Sequence, residues 1–165
     1  MAGLIGSSGS KNLRVKEFRS SGTFPVPSGV KTVSLFLVGG GAGGASSYLG
    51  QGGNVVEVNY DVDGKASCAV VIGAGGASAA NGGNTSFDGV VFACGGGAYG
   101  AVQSSTVPQI GGTGKSGFGG HGANGSTVAA ANGAVSAESA PSNTGAGAPN
   151  GMSGGSGYCR VEWYE

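Results

Sequence analysis

The chain has 165 residues, of which 39 are glycine, 10% are charged and 7% are aromatic. An ordinary globular domain contains about 7% glycine and about 25% charged residues. The net charge of zero and the apolar fraction of 39% are also untypical of a disordered chain. The length predicts a single domain, and the lack of surplus positive charge argues against a nucleic-acid-binding module.

The glycine content predicts marginal stability for a lone monomer. Each ordered glycine costs about 0.5–1 kcal/mol relative to alanine, because its backbone loses more conformational entropy on folding. The total for this chain is on the order of 20–40 kcal/mol, whereas the net stability of a typical protein is about 5–15 kcal/mol. We therefore expect the glycine tracts either to stay mobile or to be ordered by dense backbone packing, and we expect an oligomer.

The sequence carries no recognisable membrane or secretion signal. No apolar run reaches the roughly 18 residues of a membrane span, and residues 1–11 lack the basic and apolar regions of a secretory signal. The three cysteines, Cys68, Cys94 and Cys159, are odd in number and widely spaced. This pattern favours buried thiols in a protein that is assembled in the cytosol over a disulfide framework.

The predicted elements are all β. Residues 1–21 are expected to form an N-terminal arm and residues 22–165 a glycine-rich β domain. Residues 33–38 are apolar on both faces, which predicts a central strand, and the alternation in 55–62 predicts a half-buried one. Further strands are predicted at 67–72, 85–87, 90–94 and 159–164. No stretch carries apolar residues at helical spacing over three turns.

Three turns are predicted between these strands. Asp63-Gly64 and Asp88-Gly89 each lie between two strand candidates. Asp-Gly in this position predicts a tight hairpin, because a type I′ turn needs a positive φ at both central residues. Pro27-Ser28-Gly29 has the composition of a third turn.

Glycines recur at every third position in several tracts, namely at 111, 114, 117 and 120, at 119, 122 and 125, and at 151, 154 and 157. Polyproline-II-type helices have three residues per turn and no internal hydrogen bonds. A glycine every third residue would leave one face without side chains, so that neighbouring segments could exchange backbone hydrogen bonds. The spacing is equally compatible with flexible loops in which the period arises by chance.

Two nucleotide-binding patterns are incomplete. Gly39-x-Gly41-x-x-Gly44 follows a predicted strand, and acidic residues lie about twenty positions on, as in dinucleotide-binding folds. The helix that this fingerprint requires is disfavoured by the further glycines Gly50, Gly52 and Gly53. Gly114-Lys115-Ser116 resembles the end of a phosphate-binding loop, but Gln109 stands where that loop requires glycine.

Residues suited to catalysis or metal binding are scarce. His121 is the only histidine, and no acidic residue between Asp88 and Glu138 is available to orient it. One histidine and three scattered cysteines show no metal-ligand spacing. We therefore predict a protein that is not an enzyme and has no cofactor and no metal. A nucleotide-binding enzyme is kept as an alternative hypothesis.

A few bulky side chains stand inside the glycine tracts. Tyr48, Leu49, Tyr99, Phe118 and His121 have few other large residues near them in the sequence. On loop tips they would form rigid contact points for a sugar or a protein surface, as aromatic anchors do in antibody paratopes. The alternative is that they fill the interior of the loop bundle.

An ordered set of segments runs through the chain: GTFPVPSGV (22–30), VSLFLVGGGAGG (33–44), VVIGAGG (70–76), GNTSF (83–87), ACGGG (93–97) and GGSGY (154–158) with Val161. This set resembles the glycine-rich domain of tail-fibre and adhesin proteins of tailed bacteriophages over residues 22–164. The resemblance implies a small β-sandwich-like framework with long glycine-rich loops gathered at one end. It also implies that these loops can pack as polyglycine II helices.

The same resemblance implies a homotrimeric virion protein that is assembled in the host cytoplasm. We expect its glycine-rich loops to bind a host-surface glycan or an outer-membrane protein, and we expect no nucleic-acid partner. Residues 1–21 are too short for a fibre shaft and are expected to dock to another virion protein. The alternative is a purely architectural subunit, such as a capsid decoration, a collar or a tail appendage, with no receptor role.

Overall fold

The computed structural model describes residues 11–44, 50–98, 115–116, 140, 142–148 and 151–165. These residues form nine β-strands, all paired antiparallel, and no α-helix. The strands, in chain order, are β1 (Leu13–Phe18), β2 (Gly22–Pro25), β3 (Thr32–Val38), β4 (Asn54–Asp61), β5 (Ser67–Val71), β6 (Thr85–Phe87), β7 (Val91–Ala93), β8 (Lys115–Ser116) and β9 (Tyr158–Tyr164). The all-β prediction is confirmed.

The strands form two sheets that pack face to face as a β-sandwich. The larger sheet has the order β1-β9-β3-β4-β8, and the smaller sheet has the order β2-β5-β6-β7. Their inner faces share one hydrophobic cluster, in which Phe24, Leu37 and Phe87 are fully buried. Burial of a side chain of this size stabilises the fold by about 1.5–3 kcal/mol. This cluster is therefore the main apolar core.

The central strand of the larger sheet is β3, as its sequence predicts. Leu35 lies opposite Val58 of β4 and opposite Val161 of β9. On the alternate positions of β3, Ser34 is exposed and Phe36 is half-buried. Because side chains alternate along a strand, one face of this sheet covers the core and the other face points to solvent.

Aromatic rings connect the two sheets. The ring centroid of Phe24 on β2 lies 6.0 Å from that of Phe87 on β6 and 5.2 Å from that of Trp163 on β9. Tyr60 on β4 contacts Phe87 with a centroid distance of 5.6 Å and an interplanar angle of 78°. Tilted and edge-to-face pairs of this kind contribute about 0.5–1.5 kcal/mol each beyond the area they bury.

Three strands were not predicted from the sequence, namely β1, β2 and the two-residue β8. β1 lies within the segment 1–21 that we separated from the β domain, and it pairs with β9 from Leu13 opposite Tyr164 to Phe18 opposite Cys159. Only Phe18 of this strand is buried, and its three charged side chains hide any apolar alternation. β2 has only four residues and ends on Pro25, so its sequence carries too few residues for a clear period.

The turn predictions were partly wrong. Asp88 and Gly89 both have positive φ, 55° and 64°, and they connect the paired strands β6 and β7 as expected. Gly64 also has positive φ, but β4 and β5 belong to different sheets. Asp63-Gly64 therefore joins the two sheets rather than closing a hairpin. The predicted turn after Pro27 is confirmed, since the Val30 N–H donates to the Pro27 carbonyl.

All three cysteines are buried free thiols, which confirms the sequence prediction. Burial raises the pKa of the Cys159 thiol to about 12. Burial also raises the pKa of Cys68, with a further contribution from the negative charge of Asp88. Because the thiolate is the reactive form of cysteine, the raised pKa disfavours reaction of Cys68 and Cys159 in the folded protein.

We predict that the folded protein releases essentially no colour in a short incubation with Ellman's reagent. Addition of a denaturant should then expose all three thiols, because unfolding removes their burial. A rapidly reacting thiol in the native protein would contradict the buried positions.

A polar cluster lies at the end of the sandwich where β6 and β7 are joined. The Tyr60 hydroxyl donates to a carboxylate oxygen of Asp88 at 2.8 Å, and Lys65 Nζ lies 2.8 Å from the same oxygen. Burial pushes the pKa of Asp88 upward, but the hydrogen bonds from Lys65 and Tyr60 outweigh it and the net pKa is lowered. The cluster therefore connects the turn after β6 to β4 and to the segment between β4 and β5.

We predict that Asp88→Asn lowers the free energy of unfolding by about 1–2 kcal/mol at neutral pH, because a charged hydrogen-bond acceptor is lost. Asparagine tolerates the positive φ of this position. The lowered folded-state pKa means that the carboxylate stabilises the fold above the unfolded-state pKa, and that this stabilisation is lost as the pH falls through the folded-state pKa. The difference in the free energy of unfolding between wild type and variant, measured by urea unfolding, should therefore become smaller at acid pH.

The matched control for this experiment is Asp63→Asn. The ion pair of Asp63 with Lys31, at 3.2 Å, is exposed on both sides and should contribute less than about 1 kcal/mol. An equal loss of stability in both variants would show that net charge, rather than the cluster, is responsible.

Candidate functional site: the glycine bundle

The glycine tracts continue the strands beyond one end of the sandwich. A central segment (39–44) follows β3. Around it lie six outer segments, at 50–54, 73–77, 80–84, 94–98, 145–148 and 151–157, most of which directly precede or follow a strand. We call these seven segments the glycine bundle.

The central segment is held mainly by backbone hydrogen bonds. Each of its six N–H groups donates to a carbonyl of an outer segment, and the six pairs are Gly39 to Asn54, Gly40 to Gly83, Gly41 to Gly155, Ala42 to Gln51, Gly43 to Ala80 and Gly44 to Met152. Residues three apart therefore donate to the same outer segment. The whole central segment is buried.

A period of three is the signature of a polyproline-II-type helix, in which successive residues point in three directions. The carbonyls of the central segment follow the same rule, since those of Gly40, Gly41 and Ala42 accept from three further outer segments. The central segment thus contacts all six neighbours. Of the two arrangements that the glycine spacing allowed, the packed one is confirmed for these segments, and the tract 111–125 lies outside the described residues apart from 115–116.

The six outer segments close into a ring around the central one. Each is hydrogen-bonded to the next through backbone groups, by Gln51 to Gly97, Gly82 to Gly96, Gly83 to Ala74, Gly154 to Gly76, Gly155 to Ala146 and Gly50 to Ala148. The predicted three-residue period at Gly154 and Gly157 is present, since both donate to the segment 73–77. Gly151 instead has a positive φ of 77° and occupies a turn.

Close approach of the backbones requires glycine at most of these positions. A Cβ added to Gly41 would overlap the carbonyl oxygen of Ala146, and one added to Gly43 would overlap that of Ala77. The methyl group of Ala42, between them, is fully buried. The bundle therefore accepts a methyl group at positions such as Ala42, where the Cβ points into a space between two segments, and requires glycine where the Cβ would point at a backbone carbonyl.

Asparagine side chains complete the hydrogen bonding where backbone carbonyls are missing. Asn84 Oδ1 accepts from the Gly95 N–H at 2.9 Å, and Asn81 Oδ1 accepts from the Ala98 N–H at 2.7 Å. The two donors are three residues apart, as are the two asparagines. An unsatisfied buried N–H costs about 1–3 kcal/mol, so these two amides stabilise the segment 94–98.

Several chain connections leave the bundle at the end that is remote from the sandwich. The Gly44 carbonyl accepts from Ala79 and Gly151, and the Gly50 N–H donates to the Ala148 carbonyl. Gly44, Gly50, Ala148 and Gly151 are therefore neighbours. We call this region the loop end. Residues 45–49 connect Gly44 to Gly50 there, and residues 149–150 connect Ala148 to Gly151.

The candidate binding residues lie outside the described part of the chain, and the structure therefore does not bring them together or separate them. These residues are Tyr48, Leu49, Tyr99, Phe118 and His121. The described residues that flank Tyr48 and Leu49 are at the loop end, and Ala98, which precedes Tyr99, donates to Asn81 beside the same end. The strand β8 pairs with Asn54 and Val55 of β4, where the larger sheet meets the bundle.

The chemistry of the bundle is that of an uncharged surface. Its seven described segments contain no Asp, Glu, Lys or Arg. Within the described ranges no group of three His, Cys, Asp or Glu side chains could hold a metal ion, and no helix is long and apolar enough to cross a membrane. The N–H groups of Gly39, Gly41 and Gly44 all donate to protein carbonyls, so in this arrangement they are not available to a phosphate group.

The sequence profile of the glycine-rich domain family matches residues 18–164, which include β2 to β9 and every segment of the bundle. No curated protein matches the chain. Nearly all of β1 precedes the matched region.

We predict that Gly41→Ala lowers the free energy of unfolding by at least about 3 kcal/mol, because the added methyl group overlaps backbone that cannot move without breaking the ring. Gly22→Ala is the matched control, since its Cβ would meet only the Phe18 ring at 3.7 Å. Thermal and urea unfolding of both variants measure the difference. A Gly41→Ala protein as stable as the control would contradict the close packing of the central segment.

Proposed function

This chain belongs to the glycine-rich domain family, and on that premise we propose that it is a non-enzymatic structural protein of a tailed-bacteriophage virion. In this proposal it is of the tail-fibre or tail-tip type and binds the host receptor through loops at the loop end. The resemblance of its ordered segments to phage adhesin domains supports the proposal. The observation that carries it is the glycine bundle, which gathers chain connections at one end of a rigid support.

A rigid support with variable connections suits recognition. Loops can differ in sequence without loss of the fold when a scaffold positions their ends, which is why binding residues occur so often on loops. Hydrogen bonds of their backbone N–H or carbonyl groups fix Gly44, Gly50 and Ala98, and these residues lead into the segments that contain Tyr48, Leu49 and Tyr99. Phe118 and His121 follow β8 in the sequence, and Tyr99 precedes it.

The uncharged bundle indicates the kind of receptor. A site without charged neighbours gains little from long-range electrostatic attraction, so affinity would come from aromatic contact and hydrogen bonding. A glycan on the host surface, or the exposed part of an outer-membrane protein, offers both. We expect the protein to act as a homotrimer, with its N-terminal segment attached to another virion protein.

A second candidate is a purely architectural virion subunit with no receptor. Leu13, Val15 and Tyr164 expose 50%, 50% and 61% of their surface. Leu13 and Tyr164 are register partners, and Val15 lies two residues along β1 on the same face. Contiguous exposed apolar side chains of this kind are typical of contacts between proteins, so this surface favours a role in assembly.

We predict that the purified protein binds intact host-type bacterial cells and that Tyr48→Ala, Tyr99→Ala or Phe118→Ala reduces binding by about ten-fold or more, because an aromatic anchor is lost. Tyr164→Ala is the matched control, since it removes an exposed tyrosine from the larger sheet. Fluorescent labelling and flow cytometry measure the bound protein.

Absence of binding by the intact protein would favour the architectural candidate over the adhesin. Loss of binding with Tyr164→Ala alone would show that the cell surface is contacted by the larger sheet and not by the loops. Each variant is checked by thermal unfolding, so that a misfolded protein is not counted as a binding defect.

A further inference from the structure

The edge of the larger sheet at β1 is open to a further strand. Within the described part of the chain, β1 pairs only with β9 and stands first in the order of that sheet. Asn12 and Glu165 exchange both of their backbone hydrogen bonds, so the even-numbered residues of β1 direct their backbone groups toward β9. The N–H and carbonyl groups of Leu13, Val15 and Glu17 therefore point away from the sheet. An antiparallel strand can pair with these groups.

The side chains of β1 lie on two faces with different chemistry. Arg14 and Lys16 are on the same face as Phe18, which is buried, because side chains two residues apart in a strand point the same way. Leu13 and Val15 are on the outer face, and each exposes 50% of its surface. Exposed apolar side chains beside an open edge favour a contact with another chain. The charges between them restrict the way in which such a strand can lie.

A second copy of β1 fits this edge, and charge selects one register for it. Two copies related by a two-fold axis perpendicular to the sheet are antiparallel, and each pair away from the axis occurs twice. An axis at Val15 places Arg14 opposite Lys16 of the second copy, and an axis at Lys16 places the two lysines opposite each other. Like charges directly opposite one another are destabilising. An axis at Arg14 instead places Leu13 opposite Val15, so that apolar side chains meet.

The register centred on Arg14 also pairs opposite charges. Lys11 of each copy faces Glu17 of the other copy, and the alternation of side chains puts both on the outer face. The two Arg14 side chains face each other, but Arg14 Nε lies 2.7 Å from Glu165 Oε1 within its own copy. This neighbouring carboxylate reduces the repulsion at the axis.

Both members of the Lys11–Glu17 pair are accessible. Lys11 is exposed and makes no ion pair with any residue that the structure describes. Glu17 is also exposed. It accepts a hydrogen bond from Tyr158 and lies 3.4 Å from Arg19. An ionised carboxylate has about four acceptor sites, so Glu17 can bind an ammonium group in addition to these two neighbours.

We propose that the chain forms a two-fold dimer in which β1 pairs antiparallel with β1 of a second copy, with Leu13 opposite Val15 and Lys11 opposite Glu17. The two five-stranded sheets then become one continuous sheet. One strand edge accepts one neighbouring strand, so this contact is separate from the homotrimer proposed above. It needs neither the loop end nor a receptor, and its test is therefore independent of the cell-binding experiment.

The test reverses the charges of the pair in the full chain. Lys11→Glu and Glu17→Lys each place like charges opposite one another at both ends of the contact. Each variant should raise the dimer dissociation constant by about ten-fold or more in sedimentation equilibrium. An equimolar mixture of the two variants should regain the affinity of the intact protein, because a mixed dimer again pairs opposite charges at both ends.

The control variant is Lys31→Glu, which makes the same change of charge at an exposed lysine outside β1 and should leave the dimer affinity unchanged. The proposal is overturned if the intact protein remains a monomer from micromolar to millimolar concentration, which is also the result expected if a different protein occupies this edge. It is equally overturned if the mixture associates no more tightly than either variant alone.

Thermal unfolding checks that each variant is folded. Lys11→Glu loses no ion pair within the described residues, whereas Glu17→Lys loses its hydrogen bond from Tyr158. If Glu17→Lys does not fold, Val15→Asp tests the same contact, because it places a carboxylate against Leu13 of the second copy. A folded Val15→Asp protein that dimerises as tightly as the intact protein would overturn the proposal.

Discussion

The structure depends on the hydrogen bonds between the central segment, 39–44, and the six segments around it. All six N–H groups of the central segment donate to carbonyls outside it, and no side chain larger than a methyl group lies within it. An ordinary protein core is organised by apolar side chains, whereas the interior of the glycine bundle is organised by the spacing of backbone groups. Positions of the outer segments, and therefore of the connections between them, follow from that single segment.

The two halves of the molecule are stabilised in different ways. In the sandwich, side chains such as Phe24 and Phe87 are removed from water, which is a non-directional gain. In the bundle, each net gain of about 0.5–1.5 kcal/mol per hydrogen bond is opposed by the entropy of a glycine, about 0.5–1 kcal/mol relative to alanine. These terms nearly cancel. The bundle therefore needs strands such as β3, β4 and β9 to fix the ends of its segments, and the sandwich supplies them.

Strands with a clear apolar pattern could be predicted from the sequence. Strands without one were missed, and the turn at Asp63-Gly64 was predicted wrongly as a hairpin. β3 and the turn at Asp88-Gly89 follow from apolar patterning and from the need for positive φ. Arg14, Lys16 and Glu17 conceal β1, because an edge strand with few buried side chains needs no apolar period. Which residues of β3, β4 and β9 lie opposite one another could not be predicted, because no local sequence pattern determines the register between distant strands. A run of glycine and alanine directly after or before most strands was the available signal for the bundle.

The closed ring of backbone hydrogen bonds has a consequence for the evolution of such a protein. Each segment is held in register by its own neighbours, so a connection at the loop end can be lengthened, shortened or exchanged without shifting any other. The connections at 45–49 and at 149–150 can thus diversify independently, one at a time. Selection by a changing partner would act on each connection separately. A larger residue at the glycines that space the segments would instead overlap neighbouring backbone.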